Sequence, residues 1–166
     1  VTVGENYQTQ EIAYLGKPAT VDHDGPVGFT GSYGTGQTVV ACTWCSTTVL
    51  ASTFNKDLAY GMGLSIGREM STQETSGWYG PAMNNQRSPF SGRNYEYYSE
   101  DPVLSGMIAT EEISGAASQG VYAELKHFVL NDEEVNRNAQ CSVWVNEQAL
   151  REIYLKPFEI CVKNAW

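Results

Sequence analysis

From residue 18 onward the chain alternates short strand-like runs with amphipathic helical runs, and this alternation constrains the fold more than any other feature. Pro18-Ala19-Thr20-Val21 reads as a short strand that ends at Asp22-His23-Asp24. Leu58, Met62, Ile66 and Met70 recur every fourth residue, the spacing of one helical face, with Asn55 or Ser52 as the cap. Residues 78–83 form an aromatic and apolar run, flanked by Gly77 and broken by Pro81, that predicts a second strand. Asp101-Pro102 is a cap followed by proline at the first helical position. Leu104, Met107, Ile108 and Ile113 supply that helix's buried stripe, and Gly120 its stop. Residues 121–128 make the clearest strand, with Val121, Ala123 and Leu125 alternating against Tyr122, Glu124 and Lys126. A last helix opens near Asn146 and carries Leu150, Ile153, Tyr154, Phe158 and Cys161 on one stripe, with Pro157 kinking or ending it. Strand then helix, three times over, predicts βαβ units, a parallel sheet and an α/β fold.

Such sheets carry their chemistry beyond the carboxyl ends of the strands. Asp22-His23-Asp24, residues 84–94 and Lys126-His127 each follow a predicted strand, so three polar clusters distant in sequence converge on one face. Each has two readings. Asp24, in Asp24-Gly25-Pro26, serves either a turn or as a carboxylate that accepts two neighbouring hydroxyls of a sugar-like polyol. Arg87 and Arg93, in a loop that also holds amides and aromatic rings, either bind a ligand or pin the loop through Glu96 or Asp101. Lys126-His127 continues an apolar strand, so one of the pair faces outward or the rim. Glu133 and Glu134 form a solvated acidic face or a general acid and base, although adjacent side chains rarely face one substrate. Five glycines between Gly25 and Gly36 mark a long loop (Gly25, Gly28, Gly31, Gly34, Gly36), which is functional or mobile.

A formal charge of −9 and a pI near 4.6 exclude a phosphate-tracking nucleic-acid binder. Nothing favours an anionic membrane surface, and no apolar run approaches the ~20 residues of a span. Two histidines make a histidine-based metal site improbable, and no P-loop, G-x-G-x-x-G or H-E-x-x-H occurs, so no metal and no cofactor is expected. Cys42 and Cys45 form a lone C-x-x-C, open to a redox pair or half a zinc site. The plainer reading of Cys42, Cys45, Cys141 and Cys161 is mostly buried thiols in a reducing compartment.

Longer blocks carry a resemblance. Gly80-Pro81-Ala82-Met83-Asn84, Arg87-Ser88-Pro89, Gly92-Arg93-Asn94-Tyr95-Glu96 and Ser99-Glu100-Asp101-Pro102 are similar to glycoside hydrolase family 3. So are Lys126-His127-Phe128-Val129, Asn131, Glu134, Asn136-Arg137 and the run from Glu147 to Glu159. The texture is that of the family's β-glucosidases, including those of anaerobic Gram-positive bacteria. The resemblance implies a (β/α)8-type barrel and a retaining double displacement, in which an aspartate attacks and a glutamate acts as acid and then base, about 5–5.5 Å apart. Asp24 matches the family aspartate that holds hydroxyls of the terminal sugar, and Arg93, Lys126 and His127 match positions around the same sugar. Arg87, Glu96 and Asn131 are supporting candidates.

Gln86 stands where many relatives carry histidine. The family's nucleophile lies on a later strand and its acid/base in another domain, so no catalytic residue is assigned, and Asp132, Glu133 and Glu134 do not match those motifs. Val129-Leu130-Asn131-Asp132 after Lys126-His127-Phe128 lacks the Pro, Gly and second His of the N-acetylglucosaminide branch, so the glucosidase branch is expected.

Residues 1–166 are therefore expected to be part of a (β/α)8 TIM-type barrel, truncated before its later strands, about a third short of the usual ~250 residues. The expected partners are a β-linked glucoside or oligosaccharide and either the missing segments of the enzyme or a neighbouring copy, because an open barrel leaves sheet edges uncovered. A non-catalytic carbohydrate-binding or structural module is the alternative. The thiols favour a bacterial cytoplasm, and an N-terminus without Met leaves secretion open.

Overall fold

The computed structural model describes residues 8–30 and 40–165; Gly31, Gly34 and Gly36 of the glycine-rich run lie outside them. The elements follow in the order β1 (Gln8–Thr9), β2 (Thr20–Asp24), α1 (Thr47–Ser52), α2 (Lys56–Thr72), β3 (Gly77–Tyr79), α3 (Pro102–Ala117), β4 (Tyr122–Ala123), α4 (Glu147–Ala149) and α5 (Lys156–Asn164). The sheet order is β1-β2-β3-β4. β1 runs antiparallel to β2, while β2, β3 and β4 are mutually parallel, with Asp22 opposite Gly77 and Gly77 opposite Tyr122. Helices separate the parallel strands, so the expected α/β architecture of βαβ units is present.

β2 starts at Thr20 rather than Pro18 and runs through the whole Asp22-His23-Asp24 cluster. Side chains alternate across a strand. His23 and Trp78 therefore join the apolar face against the helices, while Asp22, Gly77 and Tyr122 line the opposite face. There the Tyr122 hydroxyl bonds Asp22 Oδ1 and lies 3.2 Å from Thr20 Oγ1.

The Asn55 side chain caps α2 by accepting from the N–H groups of Asp57 and Leu58, 2.9 and 3.1 Å away. Its buried residues are Ala59, Met62, Gly63, Ile66, Gly67 and Met70. Leu58, expected on that face, is 53% exposed, because a strict four-residue repeat drifts around a helix of 3.6 residues per turn. The Asp101 cap and proline start of α3 are as expected, with Val103 and Leu104 N–H at 2.7 and 3.0 Å from Asp101 Oδ1. α3 is buried on most of its circumference, and Met107 falls on its narrow outer strip instead of the core.

Residues 121–128 do not form one strand. Tyr122 N–H and Glu124 N–H bond Ser76 and Trp78 carbonyls at 3.0 and 2.8 Å, but Lys126 N–H bonds Pro81 at 3.2 Å. The partner thus advances by two residues and then by three, a bulge that leaves one extra residue on the β3 side and ends the regular ladder. The last helix is also interrupted. A π turn (Leu150–Tyr154) separates α4 from α5, and Pro157 sits in the first turn of α5. Proline has no N–H for the Ile153 carbonyl, and the buried Asn85 side chain donates to that carbonyl at 2.8 Å instead. The extra residue per turn breaks the stripe, so Phe158 and Cys161 are buried while Leu150, Ile153 and Tyr154 are only half-buried.

The expectation of mostly buried thiols is not met: Cys42, Cys45 and Cys141 are exposed and only Cys161 is buried. The three exposed thiols lie on connecting segments, whereas Cys161 is on the packed side of α5. Among the described residues no helix is long and apolar enough to cross a membrane.

Candidate functional site

At the carboxyl end of β2 the chain turns sharply, and several bonds hold the turn. The Trp78 indole N–H donates to the Gly25 carbonyl at 2.8 Å, and Thr30 N–H donates to the Asp24 carbonyl at 2.6 Å. His23 donates from Nδ1 to the Thr30 carbonyl at 2.8 Å, since a carbonyl only accepts. Gly25 has φ +129°, and a Cβ there would lie 2.1 Å from the Gly28 carbonyl oxygen, so this turn requires glycine. Asp24 Oδ1 accepts from Gly25 N–H at 2.7 Å and also binds the Lys126 ammonium. The turn reading of Asp24 is therefore met, and the same oxygen pairs with a cation from a distant strand end.

Arg93 enters from the loop that follows β3. Its Nε donates to Glu96 Oε1 at 2.6 Å, and one terminal nitrogen donates to His127 Nε2 at 2.5 Å. Its other terminal nitrogen lies 3.6 Å from Glu134 Oε2. Glu96 Oε2 in turn lies 3.9 Å from Lys126 Nζ. Arginine has no acceptor, so Nε2 of His127 is the bare nitrogen and Nδ1 carries the hydrogen. That nitrogen faces the Tyr97 hydroxyl at 3.4 Å, which donates onward to the Asn131 carbonyl at 3.0 Å. Burial first, then the charges of Arg93, Lys126 and Arg137, push the His127 imidazole down to about 3, so it is neutral at ordinary pH. The Asn84 side chain clamps the His127 backbone, accepting from N–H at 2.6 Å and donating to the carbonyl at 3.0 Å.

A cavity of about 400 Å³ is lined by Asp24, Arg93, Tyr95, Glu96, Lys126 and Glu134 among others, within the range of small-molecule sites. With Arg137, the cavity holds three carboxylates and three cations, balanced overall. His127 stands behind Arg93 and does not line it. Arg87 is not brought here; its guanidinium lies 5.9 Å from the Tyr154 ring centroid. Asn131 contributes a backbone carbonyl to Tyr97, and it borders a separate hollow with Leu130 and Val143. Gln86 donates to the Thr48 hydroxyl and to the Asn94 and Tyr97 carbonyls at 2.8–3.0 Å, which braces the loop. Among the described residues no group of three or more His, Cys, Asp or Glu side chains is placed to hold a metal ion.

The chain as a whole is similar to known proteins. Residues 5–166 match the N-terminal domain of glycosyl hydrolase family 3. The chain belongs to this family. It is 44% identical over 156 residues to a β-glucosidase of Ruminococcus albus, covering 94% of this chain and 16% of that one. It is 41% identical over 159 residues to the probable β-glucosidase H of Aspergillus oryzae, covering 96% and 19%. The solved structure of β-glucosidase 3B from Thermotoga neapolitana in complex with glucose superposes with a TM-score of 0.83 at 42% identity, over 95% of this chain and 22% of that one. The family 3 chain thus spans about a fifth of the length of the relatives it matches.

Three members of the network were not among the site candidates from the sequence, although Asn84 and Arg137 stand in the blocks that carry the resemblance. Tyr97 and Asn84 fix His127, and Arg137 grips Glu134 at 2.9 and 3.2 Å. Asn84 had the signal of opening the polar cluster after a predicted strand, and Arg137 that of the three-residue spacing of opposite charges from Glu134. Glu133 turns to cap the N–H groups of Glu134 and Val135, so the two adjacent acids do not face one cavity.

Proposed function

We propose that this chain forms the part of a retaining β-glucosidase that holds the terminal glucosyl residue of its substrate. The observation that carries the reading is the meeting of Asp24, Arg93 and Lys126 from three successive strand ends at one cavity of balanced charge. A neutral polyol suits such a site. Hydroxyls donate to the Asp24 carboxylate and accept from the Lys126 ammonium and the Arg93 guanidinium, and bonds to charged groups are each worth about 1.5–3 kcal/mol. His127 supports Arg93 and presents a neutral ring. Relatives described as β-glucosidases, one of them with glucose bound, point the same way.

The cavity's carboxylates are committed to cations: Asp24 to Lys126, Glu96 to Arg93, and Glu134 to Arg137. None matches the family's nucleophile or acid/base motif, and we assign both to the remainder of the enzyme, which is also the partner of this domain. The test is hydrolysis of p-nitrophenyl β-D-glucoside by the full-length protein. Asp24→Asn is expected to lower kcat/KM at least tenfold, as loss of one charged bond implies, and residues 1–166 alone are expected to be inactive. Turnover by the isolated chain would refute the division of labour. Glucose binding without turnover by the full-length protein would favour a non-catalytic carbohydrate-binding module.

A further inference from the structure

We propose that Glu134 is a positioning residue for Arg93, a role that rests on the sugar-holding reading of the cavity. Two of the three Arg93 nitrogens are fixed by hydrogen bonds, Nε to Glu96 at 2.6 Å and one terminal nitrogen to His127 at 2.5 Å. The remaining nitrogen is buried without a hydrogen-bond partner among the described residues. It lies 3.6 Å from Glu134 Oε2, too long for a hydrogen bond yet within ion-pair range. Glu134 thus faces the nitrogen that the other two partners leave unbonded and helps set the tilt of the guanidinium at the cavity.

Two features keep Glu134 in place. Its own N–H donates to the Ser91 carbonyl at 2.9 Å, which ties its loop to the loop that carries Arg93. Arg137 then bonds both carboxylate oxygens, at 2.9 and 3.2 Å. This forked grip restricts rotation of the carboxylate. The Glu134 side chain is 44% exposed against 12% for Arg93, so the ion pair adds little to folding. Its effect falls on ligand geometry, where a displacement of about 1 Å costs up to 100-fold.

The experiment uses the full-length protein, titrated with glucose by calorimetry and assayed on p-nitrophenyl β-D-glucoside. Glu134→Gln keeps the shape and removes the charge. It is expected to weaken glucose binding about tenfold and to raise KM more than it lowers kcat, with an unchanged melting midpoint. Glu134→Asp retains the charge at shorter reach and is expected to recover part of the loss. Glucose affinity within twofold of the parent in Glu134→Gln would overturn the proposal while Asp24→Asn and Arg93→Met still abolish binding. Unchanged affinity in Asp24→Asn and Arg93→Met would overturn the sugar-site reading, and this proposal with it.

Discussion

Two glycines one turn apart or less on α2 should respond in opposite directions to the same substitution. In a helix interior Gly→Ala is worth about 1 kcal/mol of stabilisation by propensity alone. Gly61 meets that condition, because a Cβ added there has nothing within 4 Å. Gly63 does not, since its Cβ would lie 1.9 Å from the Glu112 carbonyl oxygen and 2.8 Å from the Glu112 Cα on α3. Gly115 on α3 reciprocates, with a Cβ position 2.3 Å from the Tyr60 carbonyl oxygen. Ordinary contact begins near 3.4 Å, so the two backbones would have to separate by about 1.5 Å, carrying the core residues between them. Overpacking costs about 1–3 kcal/mol; with backbone in the way the upper end applies, and set against the propensity gain of about 1 kcal/mol Gly63→Ala should lose about 2 kcal/mol. For a domain of this size each kcal/mol moves the melting midpoint by roughly 2–4 °C. Thermal unfolding followed by circular dichroism should therefore show Gly61→Ala a few degrees above the parent and Gly63→Ala several degrees below. Equal midpoints for the two variants would refute backbone contact between α2 and α3.

Glu112 supplies a pH prediction. It is fully buried, accepts from the Tyr98 hydroxyl at one oxygen and has no hydrogen-bond partner among the described residues at the other; burial pushes its carboxyl up to about 8. The folded value lies above the unfolded one, so stability is full below the ordinary carboxyl value and falls as pH rises towards 8, by about 5 kcal/mol in all. Glu112→Gln should flatten that slope, which urea midpoints at pH 5 and pH 8 would reveal; equal slopes in parent and variant would show that Glu112 is not the source. His127 should remain neutral, with hydrogen on Nδ1, throughout pH 5–8. Nitrogen chemical shifts that report an imidazolium at pH 5 would contradict the neutral acceptor that faces Arg93.

Much of the skeleton could be read from residues adjacent in sequence. The caps at Asn55 and Asp101 depend on side chains bonding N–H groups two or three positions away, and both are where the sequence places them. The convergence of strand ends was legible for a similar reason: in parallel βαβ units every carboxyl end falls on one edge. Asp24, Arg93 and Lys126 were reachable by that rule before any distance was known. Elements that depend on pairing across the chain were not. The bulge at Pro81 and the π turn before Pro157 each insert one residue, and that choice is made by the neighbouring strand or by Asn85.

The sequence by itself determined the alternation of strands and helices, the class of fold and the three polar clusters, because periodicity, capping and turn chemistry act over a few residues. Only the tertiary structure decided how the charges are shared at the cavity. It turned Glu134 towards Arg93, drew Arg87 to Tyr154, and made His127 a neutral acceptor. Those outcomes depend on burial and on ångström-scale distances between residues 30 to 100 positions apart, and no local pattern encodes them.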